Sequence, residues 1–132
     1  MIDVENELFN TVAETVRAQF PSAFVTSEAI NAPPQFPCVC FYEEDNYTPQ
    51  EALDSSFTER FAALRYRLDI FSNKAAGRKN EVKEILSYIE PLLYARNFTR
   101  DSRTPLNDMG DTIFHMVGTY RVVTDGEGFY RI

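Results

Sequence analysis

Apolar residues recur at helical spacing near the start of the chain, at Val4, Leu8, Phe9, Val12, Ala13, Val16 and Phe20. Steps of three and four place them on one stripe, which predicts an amphipathic helix from Val4 to Phe20, with Asp3 as N-cap and Pro21 just past its end. Glu5 and Glu7 fall in the first turn, where negative charge complements the helix dipole. Phe24 to Glu28 reads as a short strand. The stiff, donor-poor stretch from Asn31 to Pro37 then delivers the chain into Cys38-Val39-Cys40-Phe41-Tyr42, a strand apolar on both faces and expected to be buried on both. Glu43 to Glu51 is acidic and turn-rich and reads as a loop protruding into solvent, with a short helical turn from Gln50 to Leu53.

Phe57 to Phe71 is the longest strand candidate. Leu64, Tyr66, Leu68 and Ile70 alternate with Arg65, Arg67 and Asp69, so one face is apolar and the other charged. Ser72 to Gly77 turns the chain, and Val82, Ile85, Leu86, Ile89, Leu92 and Leu93 mark the stripe of a second helix, which Pro91 either kinks or ends. Asn97 to Arg103 is a strand or extended arm and Pro105 to Asp111 a turn. Thr112 to Thr124 is another long strand, with Phe114, Met116, Tyr120 and Val122 on one face. A turn at Asp125 to Gly128 precedes a last short strand from Phe129 to Ile132. With no repeat and no linker, residues 1–132 are expected to form a single α+β domain: an antiparallel or mixed sheet with two helices packed on one face and the other face partly polar.

Composition sharpens this by exclusion. At 132 residues with 44% apolar and 25% charged residues, the chain is expected to fold around its own core. Eleven Phe and seven Tyr exceed what such a core needs, which implies aromatic area left for an interface. A formal charge of −7 repels a phosphate backbone, so specific nucleic-acid binding is not expected. No run reaches the roughly 18 apolar residues of a membrane span. The acidic stretch from Met1 to Asn10 has no signal-peptide pattern, so a cytoplasmic, non-secreted origin is expected.

Little in the chain resembles reactive chemistry. Cys38 and Cys40 would lie on one strand face about 7 Å apart, which disfavours a disulfide. His115, the one histidine, falls between Phe114 and Met116 in a strand and is expected to be structural or at the surface. A nucleophile, base and acid cannot be assembled without it. Cys-x-Cys with one His supplies at most three soft ligands at no common zinc spacing. Glu43-Glu44-Asp45 with Asp54 lacks the alternation and central Gly of a calcium loop. The glycines form no phosphate-binding fingerprint. The expectation is a non-enzyme with no catalytic, cofactor or metal residues.

Two charged groups remain. Lys74, Arg78, Lys79 and Lys83 crowd the start of the second helix, where the dipole disfavours positive charge. They are either simply solvated or in contact with the acidic Glu43 to Glu51 segment of an adjacent copy. Arg65 and Arg67 can pair with carboxylates across strands or across a subunit boundary, and both readings stand. The candidate interface residues are Glu43, Glu44, Asp45, Tyr47, Lys74, Arg78 and Lys79.

Three segments carry a family resemblance: Pro34-Gln35-Phe36-Pro37-Cys38-Val39 entering a strand; Tyr66-Arg67-Leu68-Asp69-Ile70-Phe71-Ser72-Asn73-Lys74 running into the Gly77 to Leu86 helix start; and Asn97-Phe98-Thr99-Arg100, leading through Pro105 to Ile113-Phe114-His115-Met116 and Gly118-Thr119-Tyr120-Arg121. From Asp3 to Thr124 the chain resembles the tail terminator, or tail completion, proteins of long-tailed bacteriophages. Cys-Val-Cys in the second strand departs from that family's apolar run. The resemblance implies two helices on a sheet in a hexameric ring that caps the tail tube and joins it to the head. It implies three partners: neighbouring copies, tail-tube protein and head-completion protein. It places the protein in the virion neck, and in host cytoplasm during assembly, with DNA sliding through the ring. The alternatives are a head-completion or stopper protein of the neck, and a small ligand-binding or enzymatic domain using Cys38, Cys40 and His115.

Overall fold

A computed structural model of the chain describes residues 2–48 and 60–131. The element order is α1 (Glu5–Gln19), β1 (Phe24–Thr26), β2 (Cys38–Tyr47), β3 (Ala62–Ser72), α2 (Arg78–Ala95), β4 (Thr99–Leu106), β5 (Phe114–Thr124) and β6 (Phe129–Tyr130). One mixed sheet runs β1-β2-β3-β5-β4, with β6 also paired to β5. Among the described residues only β1 and β2 pair in parallel, and every other pairing is antiparallel. This is the expected α+β fold.

Both helices lie on one face. Leu8, Val12, Ala13 and Val16 of α1 and Val82, Ile85, Leu86, Ile89 and Leu93 of α2 form one buried cluster with Val39, Phe41, Leu64, Tyr66, Leu68, Ile70, Tyr120 and Val122. The period-2 pattern of β3 and β5 therefore meets the helical stripes as alternation requires. Tyr66 stacks on Phe41 at 5.0 Å between centroids and meets Phe98 edge-on at 5.8 Å. Each deep tyrosine hydroxyl finds a carboxylate at the margin: Tyr66 donates to Glu43 (3.2 Å) and Tyr120 to Glu90 (2.8 Å).

Several boundaries differ from the sequence expectation. The N-cap of α1 is Val4, and Asp3 acts one position earlier by accepting the Glu5 N–H (3.1 Å). Pro105 continues β4 instead of opening a turn, which an edge strand tolerates. Pro91 does not stop α2. It is exposed near the helix end, and Ser87 one turn back, whose carbonyl loses its N–H partner, is exposed too.

The largest difference is the acidic segment, which does not protrude as a loop at 43–47. Glu43 to Tyr47 continue β2 alongside β3. A bulge between Glu43 and Asp45 inserts Glu44 and shifts the phase, so Glu44 and Asp45 both reach Arg65 of β3 (3.1 and 3.7 Å). That pairing lets three consecutive acids lie in a strand. The helical turn expected at Gln50 to Leu53, and Phe57 to Glu59 of the expected long strand, lie outside the described residues.

Candidate functional site

The face away from the helices has two unlike ends. At one end Cys38 and Cys40 of β2 and Phe71 of β3 form a second buried cluster, packed by Phe24 of β1 and by Ile30, Phe36, Met109 and Ile113 from the connecting segments. The thiols are free and fully buried, with sulfurs 3.9 Å apart, close enough for one to donate to the other. Contact with Cys38 and burial push the Cys40 thiol up, away from thiolate character.

Beside this cluster sits an ionic centre. Asp69 and His115 are only 5% and 4% exposed. Their strands pair with Asp69 opposite Val117 and Phe71 opposite His115, so Asp69 and His115 are diagonal neighbours on the same face. His115 Nε2 is 2.7 Å from Asp69 Oδ1, and Nδ1 is 2.9 Å from Asp108 Oδ1 in the connection between β4 and β5. The Arg67 guanidinium grips both oxygens of Asp69 (3.0 and 3.1 Å), and Phe71 stacks on the imidazole at 4.0 Å. Burial alone would raise the Asp69 carboxyl, but bonds from His115 and Arg67 hold it below its ordinary range. Burial alone would likewise lower His115, and the two carboxylates reverse this and keep it above its ordinary value. A cleft of about 120 Å³ opens here, bordered by Asn31, Tyr42, Arg67, Asp69, Asp108 and His115.

At the other end the same face is a solvated ladder. Arg65 pairs with Glu44 and Asp45, and Arg121, directly opposite Arg65, pairs with Asp101 at 2.7 Å. Arg65 and Arg67 thus find their carboxylates within the chain, across strands for Arg65 and two residues along β3 for Arg67.

The candidate interface residues do not form one surface. Glu43 turns to the helix side, where it accepts from Tyr66 and Asn46, and burial raises its carboxyl. Glu44 and Asp45 serve Arg65. Arg78 donates to the Asp111 carbonyl (3.0 Å), while Lys74 and Lys79 are exposed. Tyr47 is 57% exposed at the far end of β2. The sequence reading missed the Asp69–Arg67–His115–Asp108 centre because Asp69 sits in the charged phase of β3. The signal that could have found it is Cys38 and Cys40, which make the corresponding phase of β2 apolar and so bury whatever lies opposite.

The two sheet edges are also unlike. Phe24 N–H donates to the Pro37 carbonyl, which turns the next residue, Val25, away from β2, and Arg17 of α1 donates to the Val25 carbonyl (3.4 Å). Glu5 of α1 accepts the Glu43 N–H of β2 (2.8 Å). Side chains of α1 thus occupy backbone groups along this edge. On the opposite edge, β4 is exposed at seven of its eight residues. Among the described residues no group of three or more His, Cys, Asp or Glu is placed to hold a metal ion, and no helix is long and apolar enough to cross a membrane. No protein-family model matches the chain, and neither does any curated protein.

Proposed function

We propose that the chain is a structural subunit of a phage neck, a tail terminator whose copies close into a ring that caps the tail tube and joins the tail to the head. The observation that carries this reading is the asymmetry of the sheet edges. One edge is occupied by α1 side chains and the other, β4, is open. A surface that is not its own complement favours head-to-tail contacts, and a closed ring satisfies them without open-ended polymerisation. The two-helix, one-sheet architecture and the segments resembling the tail-terminator family support the same reading. So do the exposed rings of Tyr47, Tyr94 and Tyr130.

The lateral contact is narrower than the sequence implied. Glu43, Glu44, Asp45 and Arg78 already have partners inside the chain, so Tyr47, Lys74 and Lys79 are the residues left to meet a neighbour. The test is mass measurement and negative-stain microscopy of the purified protein, alone and with tail-tube protein. A ring of about 91 kDa, six copies of the 15.2 kDa chain, alone or formed on the tube, is expected. A monomer indifferent to tube protein would sink the reading, and binding to portal or adaptor without tube binding would reassign the chain to head completion.

A further inference from the structure

We propose that His115 is a proton-operated latch that seats the 107–113 turn on the open face of the sheet. The geometry requires a choice of protonation state. Each ring nitrogen faces a carboxylate oxygen, at 2.7 Å to Asp69 and 2.9 Å to Asp108. A neutral imidazole carries one N–H, so both contacts are hydrogen bonds only when the ring is an imidazolium. When the proton leaves, one nitrogen presents a lone pair to a carboxylate.

The two carboxylates are not equivalent, which decides where the bond breaks. Asp69 is buried, and even with Arg67 on it, losing the imidazole N–H would set a ring lone pair against a carboxylate held away from water. The Asp108 side chain is 52% exposed and can be rehydrated in place. Neutral His115 therefore keeps Nε2–H on Asp69 and releases Asp108. The turn released with Asp108 carries Met109 and Ile113, which pack on the Cys38–Cys40–Phe71 cluster. Among the described residues, its remaining polar tie is Arg78 to the Asp111 carbonyl. Gly110, at φ +81° with no atom within 4 Å of an added Cβ, gives the turn a point of bending.

The charged and titratable groups around the ring come from every neighbouring element. They are Asp69 and Arg67 of β3, Cys38, Cys40 and Tyr42 of β2, and Asp108 of the turn; the 29–31 segment over the cleft contributes none. Contact with Cys38 and burial raise the Cys40 thiol and burial raises the Tyr42 phenol, while the contact with Cys40 lowers the Cys38 thiol; Arg67 balances Asp69. Asp69 and Asp108 both favour the charged ring, and Asp108 is the one that sits on the turn, so the state of the ring sets the state of the turn. With its value raised by the two carboxylates, the latch is closed below about pH 6.5 and opens as pH rises through the higher folded value.

The chain has one histidine, so ring nitrogen NMR of untagged protein reports His115 without assignment ambiguity. Ring shifts and the backbone amides of Met109 to Ile113, with their heteronuclear NOEs, are followed from about pH 5 to about pH 9. In the wild type the amides are expected to shift and lose order in step with the ring. In Asp108→Ala the turn is expected to be loose throughout, with the ring midpoint moved down. In Asp108→Asn the midpoint also falls, but the turn stays seated at both ends of the range, because an amide can accept from the imidazolium and donate to neutral Nδ1. The proposal is overturned by turn amides that ignore the ring, by a midpoint unmoved in both variants, or by a ring that never changes state in this range. Loss of order across the whole protein at the ring's midpoint would overturn it too.

Discussion

The two ends of the open sheet face are built from similar parts, an arginine of β3 and a basic residue of β5 with nearby carboxylates, Arg65 and Arg121 at one end and Arg67 and His115 at the other, yet burial separates them. Arg65 with Glu44 and Asp45, and Arg121 with Asp101, stand in water, where such pairs are worth about 0–1 kcal/mol. Asp69, with Arg67 and His115, is shut in beside Cys38, Cys40 and Phe71, where an unpartnered charge is costly. The connecting segments make the difference: Ile30, Phe36, Met109 and Ile113 cover one end and leave the other open.

The comparison is broken most severely by Asp69→Ala, which leaves the buried His115 with no inner carboxylate. A loss of about 3–5 kcal/mol in urea unfolding is expected. A loss below 1 kcal/mol would mean that the two ends are equivalent after all.

Next comes pH. His115, raised in the fold, contributes stability that is complete below about pH 6.5 and lost as pH rises through its folded value. Asp69, lowered in the fold, contributes stability present above about pH 3.8 and lost as pH falls through its folded value. The margin of the wild type over His115→Gln should therefore be widest between these limits and shrink on the alkaline side. Denaturant midpoints across pH read this directly, and a margin that grows with pH would contradict the paired imidazolium.

At the solvated end, Arg65→Gln should cost no more than about 1 kcal/mol, and added salt should erase most of the difference. The smallest effect on folding is expected from Lys74→Glu with Lys79→Glu, within about 0.5 kcal/mol, since both residues are exposed. On the proposed ring reading, the same double reversal should weaken ring formation, read by light scattering with tail-tube protein. Unchanged rings would remove these lysines from the lateral contact.

Much of the helix face was legible from periodicity. Leu64 to Ile70 alternate and Leu8 to Val16 recur at helical spacing, and both patterns admit one packing. The acidic strand end was not legible, because Glu43-Glu44-Asp45 has the composition of a loop and becomes strand only with Arg65 opposite and a bulge to present two acids to it. The ionic centre was hidden for a related reason. His115 and Asp69 are 46 residues apart, and nothing local marks either as buried.

The sequence by itself determined the two helical stripes, the alternation of the long strands and the need to cover them, because those follow from the chain's own period and the cost of wetting apolar surface. It also determined a chain with one histidine and two strand cysteines. Only the tertiary structure decided which carboxylates those groups meet. The register of β3 on β5 and the segments folded over one end of the sheet set distance and burial together. For charged groups those two quantities, and not residue type, fix whether a pair is a surface ornament or a centre the fold depends on.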